Sequence, residues 1–264
     1  RRLGARALAV REYRLGEQFL RMMHATSLAE WKDAVSLRAK SAINLTYADN
    51  RGNIMFVWAN PLPVLPHVSG GDTLAVSATR TSDIWTRVVP FDSVPQVMNP
   101  RGGYIHNENN TPHFTNLREP VDTANRYTNL PPPAMSLRAQ LGAQLVGGTN
   151  KVSLEDVVRL KHSYRMLLAD RVKPDLLSAV RATKPTGDVA TALAMIERWD
   201  NTADPDSKGA MLFEIWWQRY GAGLPDSLRY TKAWTSADPT RTPYGLSQPA
   251  RAAPKPSPGR WARR

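Results

Sequence analysis

An α+β fold is predicted by three observations. After two leading helical segments, strand-like alternation gathers before residue 110 and helix-like periodicity follows it. The alternation flanks turn chemistry at Asn50-Arg51-Gly52-Asn53. The periodic segments open on Ser27, Ser136 and Ser153, hydroxyls suited to capping orphan N–H groups at helix starts. Strands and helices that segregate along a chain, instead of alternating as βαβ units, mark this class.

The elements follow in order. Residues 3–23 carry Leu15, Phe19, Leu20 and Met23 at helical spacing. Ser27-Leu28-Ala29-Glu30 has the form of a capping box and starts a second helix through about Leu37. Residues 42–59 read as a hairpin, with Ile43, Leu45 and Tyr47 on one face of the first strand and Ile54, Phe56 and Trp58 sharing a face of the second. Residues 60–73 form a Pro/Gly loop, and Trp85–Val89 and Val94–Asn107 are read as further strands. Residues 111–134 are loop-like and end in Pro131-Pro132-Pro133. Ser136 opens a helix through about Leu145. Ser153 caps a helix expected to turn Leu154, Val157, Val158, Tyr164 and Leu168 inward. Asp188 is expected to cap another with Leu193, Ile196 and Trp199. Lys208–Tyr220 is a fourth, aromatic on one side through Phe213, Trp216, Trp217 and Tyr220. Residues 1–248 are taken as the folded part. From Pro249 to Arg264 the text is Pro-, Ala- and Arg-rich without a core pattern, as expected of a disordered basic tail that can be deleted without loss of stability.

Composition narrows the function classes. With 42% hydrophobic residues and 8 Trp, the chain can bury a substantial core. No apolar run is long enough for a transmembrane helix, so no membrane partner is expected. The absence of cysteine excludes disulfides and thiolate-bound metals. The net charge of +12 invites a nucleic-acid reading. Its distribution argues against one: the excess sits in residues 1–21 and 241–264, not on a folded face with interleaved aromatics. There is no initiating Met and no signal-peptide core, and the chain starts inside a helix-like pattern, as a fragment of a longer polypeptide would.

The stretch with most chemical content is Asn99-Pro100-Arg101-Gly102-Gly103-Tyr104-Ile105-His106-Asn107-Glu108-Asn109-Asn110. Pro presets φ and Gly accepts positive φ, so Pro-Arg-Gly-Gly reads as a tight turn between strands. Asn107, Asn109 and Asn110 then collect carboxamides at a strand end. Such a cluster is ordinarily turn-forming, but a carboxamide N–H can also stabilise a tetrahedral oxyanion. The surrounding text, Val89-Pro90-Phe91-Asp92-Ser93-Val94-Pro95-Gln96-Val97-Met98-Asn99-Pro100, with Gly-Gly-Tyr-Ile and Asn-x-Asn-Asn after it, resembles the β-chain of the penicillin acylase family of N-terminal nucleophile amidohydrolases. Asn44-Leu45-Thr46-Tyr47-Ala48-Asp49-Asn50-Arg51-Gly52-Asn53-Ile54 is similar to the same family's hairpin. Met135-Ser136-Leu137-Arg138-Ala139-Gln140 resembles the branch holding the aculeacin and acyl-homoserine-lactone acylases. The three blocks stand in the family's order, over roughly residues 10 to 247.

The resemblance implies a share of an αββα sandwich of two antiparallel sheets. It implies hydrolysis of linear amides such as penicillins, acyl-homoserine lactones or lipopeptides, without a cofactor. It implies a periplasmic or extracellular setting and, as partners, an α-subunit and the N-terminal part of the β-subunit. In this family a Ser at the β-chain N-terminus is the nucleophile and its own α-amine the base. Here the first block already matches the middle of that chain, so the nucleophile is expected upstream of Arg1, and these residues alone are expected to be inactive. Two positions carry over. Asn109 matches the oxyanion-hole asparagine, and Arg138 matches the active-site arginine, with Arg126 as its rival.

Weaker candidates were weighed beside these. His106 and His113, with Glu108 between, match no zinc spacing. Glu108 stands where relatives have an aromatic or other residue, and either shapes an acyl pocket or faces solvent. Asp49 and Asp72 read as turn residues, Trp216-Trp217 as core, and nothing in the spacing supports a triad from Ser82-Asp83. The rival functions are a non-catalytic product of a truncated gene and a basic nucleic-acid-binding protein.

Overall fold

In a computed structural model, residues 13–40, 43–64, 79–80, 87–121, 130–147 and 151–248 are described. Asp72, Ser82, Asp83, Trp85, Arg126 and the tail from Pro249 lie outside them. The chain divides into two units, Arg1–Ala134 and Met135–Arg264.

The first unit is organised by a hairpin. Strand β1 (Asn44–Ala48) pairs antiparallel with β2 (Ile54–Trp58), and β2 with β3 (Gln96–Met98). Asp49 holds the connecting turn. Its Oδ1 accepts the backbone N–H groups of Arg51 and Asn53, both at 2.9 Å, and its Oδ2 accepts the Asn53 carboxamide at 2.8 Å. Those donors, the Asn53 side chain foremost, hold the Asp49 carboxyl below the usual carboxylate range. Gly52 supplies φ +86 in the turn.

Alternation then sorts the faces. Leu45, Met55 and Val57 join Trp31 and Val35 in one buried cluster. The last two lie on α2 (Leu28–Ser36), which follows α1 (Leu15–His24). The opposite face of the sheet carries Phe56, fully buried, and Val97. Ser27 caps α2 as expected, accepting from Glu30 N–H at 3.2 Å. Glu30 reaches one residue further than a capping box requires, taking the Thr26 N–H at 2.7 Å and its hydroxyl at 3.0 Å.

The apolar residues of α1 are not its buried side: Leu15, Phe19, Leu20 and Met23 are exposed, and the buried residue is Gln18. Its carboxamide oxygen accepts Ala39 N–H at 2.6 Å, which draws that side of the helix in. Of the strands expected over Val94–Asn107, before and after the Pro-Arg-Gly-Gly turn, only β3 forms. Ladder pairing stops at Met98, and Asn99 takes φ +46 with its side chain bonded to Ile54 N–H at 2.8 Å, turning the chain away. Of Trp85–Val89, the described residues 87–89 hold an isolated bridge, Val88 with Pro63, and Val89 N–H bonds to Leu62 O at 2.8 Å.

The second unit is helical. It holds α3 (Leu137–Gly147), α4 (Leu154–Lys161), α5 (Leu167–Ala182), α6 (Gly187–Arg198), α7 (Lys208–Gly221) and α8 (Asp226–Arg229). A short ribbon of β4 (Tyr230–Lys232) and β5 (Tyr244–Leu246) completes it. Helix α5 is its axis. Ala169, Val172, Leu176 and Val180, on one helical face, meet Ile196, Trp199, Phe213 and Tyr220. Trp216 and Trp217 pack against this cluster as core residues, Trp217 5.6 Å from the Tyr230 ring. Burial, then the nearby Asp226 charge, pushes the Tyr230 phenol up to about 12.

The capping box of Ser153 with Asp156 forms. Its helix ends at Lys161, however, and leaves Leu154, Val157, Val158 and Tyr164 exposed instead of inward. The chain breaks there because Arg165 bridges to Thr202, and Met166 N–H bonds to Asn201 O at 2.8 Å. Asp188 lies inside the first turn of α6 after Thr186 and makes no cap. The described part is thus mixed helix and antiparallel sheet, and no helix among the described residues is long and apolar enough to cross a membrane.

Candidate active site

The turn at Pro100–Gly103 forms as the residues dictate. Gly103 N–H bonds to Pro100 O at 3.1 Å, and Gly102 and Gly103 both take positive φ. Side chains close the opening behind it, since a Cβ on Gly102 would lie 2.8 Å from Arg118 Cδ. The next segment joins no strand ladder, and side chains pin it. The buried Asn116 carboxamide donates to Tyr104 O at 2.8 Å and Arg101 O at 3.0 Å. The Tyr104 hydroxyl accepts Leu117 N–H at 2.9 Å, and His106 N–H bonds to Thr115 O at 3.0 Å.

Residues 106–110 then form a compact loop whose carboxamides have divided roles. Asn107 Oδ1 accepts Asn109 N–H at 3.0 Å, and Asn107 Nδ2 donates to Asn110 O at 3.1 Å. Asn110 Oδ1 accepts Glu108 N–H at 3.0 Å. From β1, Asn44 Nδ2 donates to Asn107 Oδ1 at 2.7 Å and Asn110 O at 3.3 Å. Asn44, Asn107 and Asn110 brace the loop. Asn109 is the exposed member, in the left-handed region at φ +63. Asn tolerates that region better than other non-Gly residues. Exposure and the left-handed turn position therefore belong to the same residue.

Two partnerships here were not foreseen. His106, buried, sets Nδ1 3.0 Å from Glu108 Oε2 and 3.3 Å from Oε1. The expected choice between acyl pocket and solvent for Glu108 thus omitted a third place, folded back on a histidine two positions earlier. In extended chain such neighbours share a side, and this was the available signal. His113 instead sets Nδ1 2.9 Å from Thr111 Oγ1. The two histidines do not converge, and among the described residues no group of three His, Cys, Asp or Glu could hold a metal. Burial lowers the His113 imidazole below its ordinary value. The second missed partner is Asn44, hidden in a strand whose alternation drew attention to its apolar neighbours.

Arg138 belongs to the second unit, so it and Asn109 are each described in their own unit. It stands exposed in the first turn of α3, where Ser136 Oγ accepts Ala139 N–H at 3.2 Å. Two residues on, the buried Gln140 anchors the helix. It donates to Met135 O at 3.0 Å and Thr242 O at 2.8 Å, and accepts Arg171 at 2.6 Å. A cation at a helix N-terminus opposes the macrodipole.

The family described as penicillin amidase matches residues 3–257. Penicillin G acylase of Escherichia coli is 39% identical over 92 residues, 34% of this chain and 10% of its own length. Aculeacin-A acylase of Actinoplanes utahensis is 26% identical over 206 residues, 69% of this chain and 25% of its own length. The matched part thus spans a quarter or less of these relatives.

Proposed function

This chain belongs to the penicillin amidase family, and from that premise we propose that it is part of an acylase that cleaves a linear amide R–CO–NH–R′. A serine hydroxyl from a segment outside these 264 residues attacks the carbonyl, its proton passing to the serine's own α-amine. The Asn109 carboxamide donates to the oxygen as it becomes O⁻. The tetrahedral intermediate collapses, the amine leaves with a proton, and water hydrolyses the acyl-serine by the same path. The observation that carries this reading is the braced loop, which presents Asn109 in a chain matched by the family over residues 3–257. A fixed dipole aimed at developing charge is worth about 3–4 kcal/mol in the barrier. Arg138 supplies a rigid fork of donors for orienting the site.

The likeness to aculeacin-A acylase over 69% of the chain favours long acyl groups, as in lipopeptides or acyl-homoserine lactones. The αββα sandwich, an α-subunit and the rest of the β-subunit as partners, and a periplasmic or extracellular setting belong to the same proposal. The test is hydrolysis by the full-length polypeptide, assayed against a phenylacetyl amide, an acyl-homoserine lactone and a p-nitrophenyl ester. Turnover is expected from it, and none above a heat-killed control from residues 1–264 alone. Turnover by the isolated chain would place the nucleophile within it and overturn this reading.

A further inference from the structure

We propose that the His106–Glu108 pair is a positioning device for the Asn109 carboxamide. The inference rests on the acylase reading above and adds residues to it.

Asn109 is connected to the body of the unit through two peptides and a few bonds. On either side of it the Asn107 and Asn110 carboxamides tie the loop to itself and to β1. On its N-terminal side the neighbour is Glu108, whose backbone N–H is held by Asn110 Oδ1 at 3.0 Å. Its carboxylate turns back onto the His106 ring, 3.0 Å from Nδ1, with both oxygens in reach. The ring is a sound anchor. Its side chain is 5% exposed, its backbone N–H bonds to Thr115 O at 3.0 Å, and it stacks on Tyr104 at 6.2 Å between centroids with the planes inclined by 23°. The Glu108 side chain, 20% exposed, therefore links a buried ring to the peptide immediately before Asn109.

Chemistry sets the polarity of the link. A carboxylate can only accept, so Nδ1 carries the hydrogen. Nε2 is buried without a partner among the described residues, so the ring's one observed side-chain bond is the one to Glu108. An oxyanion donor acts through its aim. A displacement of about 1 Å can cost on the order of 10²-fold in rate, and a loop residue without such a strut would forfeit part of that. Glu108 touches neither substrate nor nucleophile in this scheme; it acts through Asn109.

The test uses the full-length acylase and a double-mutant cycle. Glu108→Ala is expected to lower kcat about tenfold while KM stays within about twofold. Glu108→Gln, which keeps an acceptor for Nδ1–H, is expected to recover kcat to within about threefold of wild type. In an Asn109→Gly background, where there is no carboxamide to aim, Glu108→Ala is expected to cost less than about twofold. A loss of folded enzyme would persist in that background; a loss of aim would not. Should Glu108→Ala not fold, Glu108→Asp, one methylene short of the ring, takes its place in the cycle. Unchanged kcat in Glu108→Ala, or an undiminished loss beside Asn109→Gly, overturns the inference and leaves the acylase reading standing. A wild-type enzyme that turns over none of the substrates overturns that reading and the inference with it.

Discussion

The carboxamide oxygen of Asn107 accepts the backbone N–H of Asn109 at 3.0 Å, and the same oxygen receives Asn44 Nδ2 at 2.7 Å. One atom thereby joins a strand to the loop residue offered as oxyanion donor. It also holds that residue at φ +63, where a Cβ is tolerated with difficulty.

Substitutions of Asn109 should accordingly separate backbone from chemistry. Asn109→Gly keeps the left-handed conformation and removes only the donor. It is expected to lower kcat by about 10²–10³ at an unchanged melting temperature. Asn109→Ala should lose the same activity and also about 1–2 kcal/mol of stability, because alanine resists that φ. Full activity in the glycine variant would reduce Asn109 to a turn former.

Arg138 should show opposite signs for stability and activity. Arg138→Gln removes a cation from the first turn of α3 and should leave stability unchanged or raise it by about 0.3–1 kcal/mol. Turnover should fall, and Arg138→Lys should not restore it, because an ammonium lacks the planar fork. A larger loss from Arg126→Lys than from Arg138→Lys would transfer the role to Arg126.

Gly209 should resist alanine. Gly to Ala in a helix ordinarily stabilises by about 0.4–1 kcal/mol. Here the new Cβ would lie 2.5 Å from both Cβ and Cγ of Trp199, itself buried. Overpacking costs about 1–3 kcal/mol and outweighs the gain. Denaturant midpoints of Gly209→Ala should drop; a rise would mean that Trp199 can move aside.

His113 should make the first unit sensitive to acid. Its folded pKa is depressed by burial, whereas the unfolded chain takes up the proton near about 6.5. The neutral ring therefore contributes full stability above about pH 6.5, and that contribution is lost as pH falls through the lower folded value. Urea midpoints measured downward from about pH 8 should decline below about pH 6.5, and His113→Gln should flatten that part of the curve. A midpoint independent of pH in the wild-type chain would remove the imidazole from the balance.

What could be read from the residues was mostly what the residues settle locally. The Asp49 turn, the Pro100–Gly103 turn, and the Ser27 and Ser153 caps are hydrogen bonds between groups within four positions of one another. The aromatic side of α7 was legible for the same reason. Helix α5 was not, because Pro174 sits inside it, and a proline in a helix interior argues against one unless tertiary packing outweighs it. The β4–β5 ribbon pairs segments of three residues each, too short for alternation to register. In the candidate site, Asn109 and Arg138 were visible as residues. The bonds that brace the first, from Asn44 to Asn107 across 63 positions, were not. The inward face assigned to α4 failed because periodicity marks an apolar side without saying what covers it.

Asn44 opens β1 opposite Trp58, on the sheet face that carries Phe56, while Leu45 turns to the helices. Strand pairing has a period of two, so a slip by one residue would carry Asn44 to the other face. The amide that grips Asn107 and Asn110 would go with it. A misregistered hairpin could still bury apolar side chains, but it could not hold the loop that presents Asn109. Bracing of the loop around Asn109 is thus conditional on register: the two Asn44 bonds exist only when β1 and β2 are correctly paired.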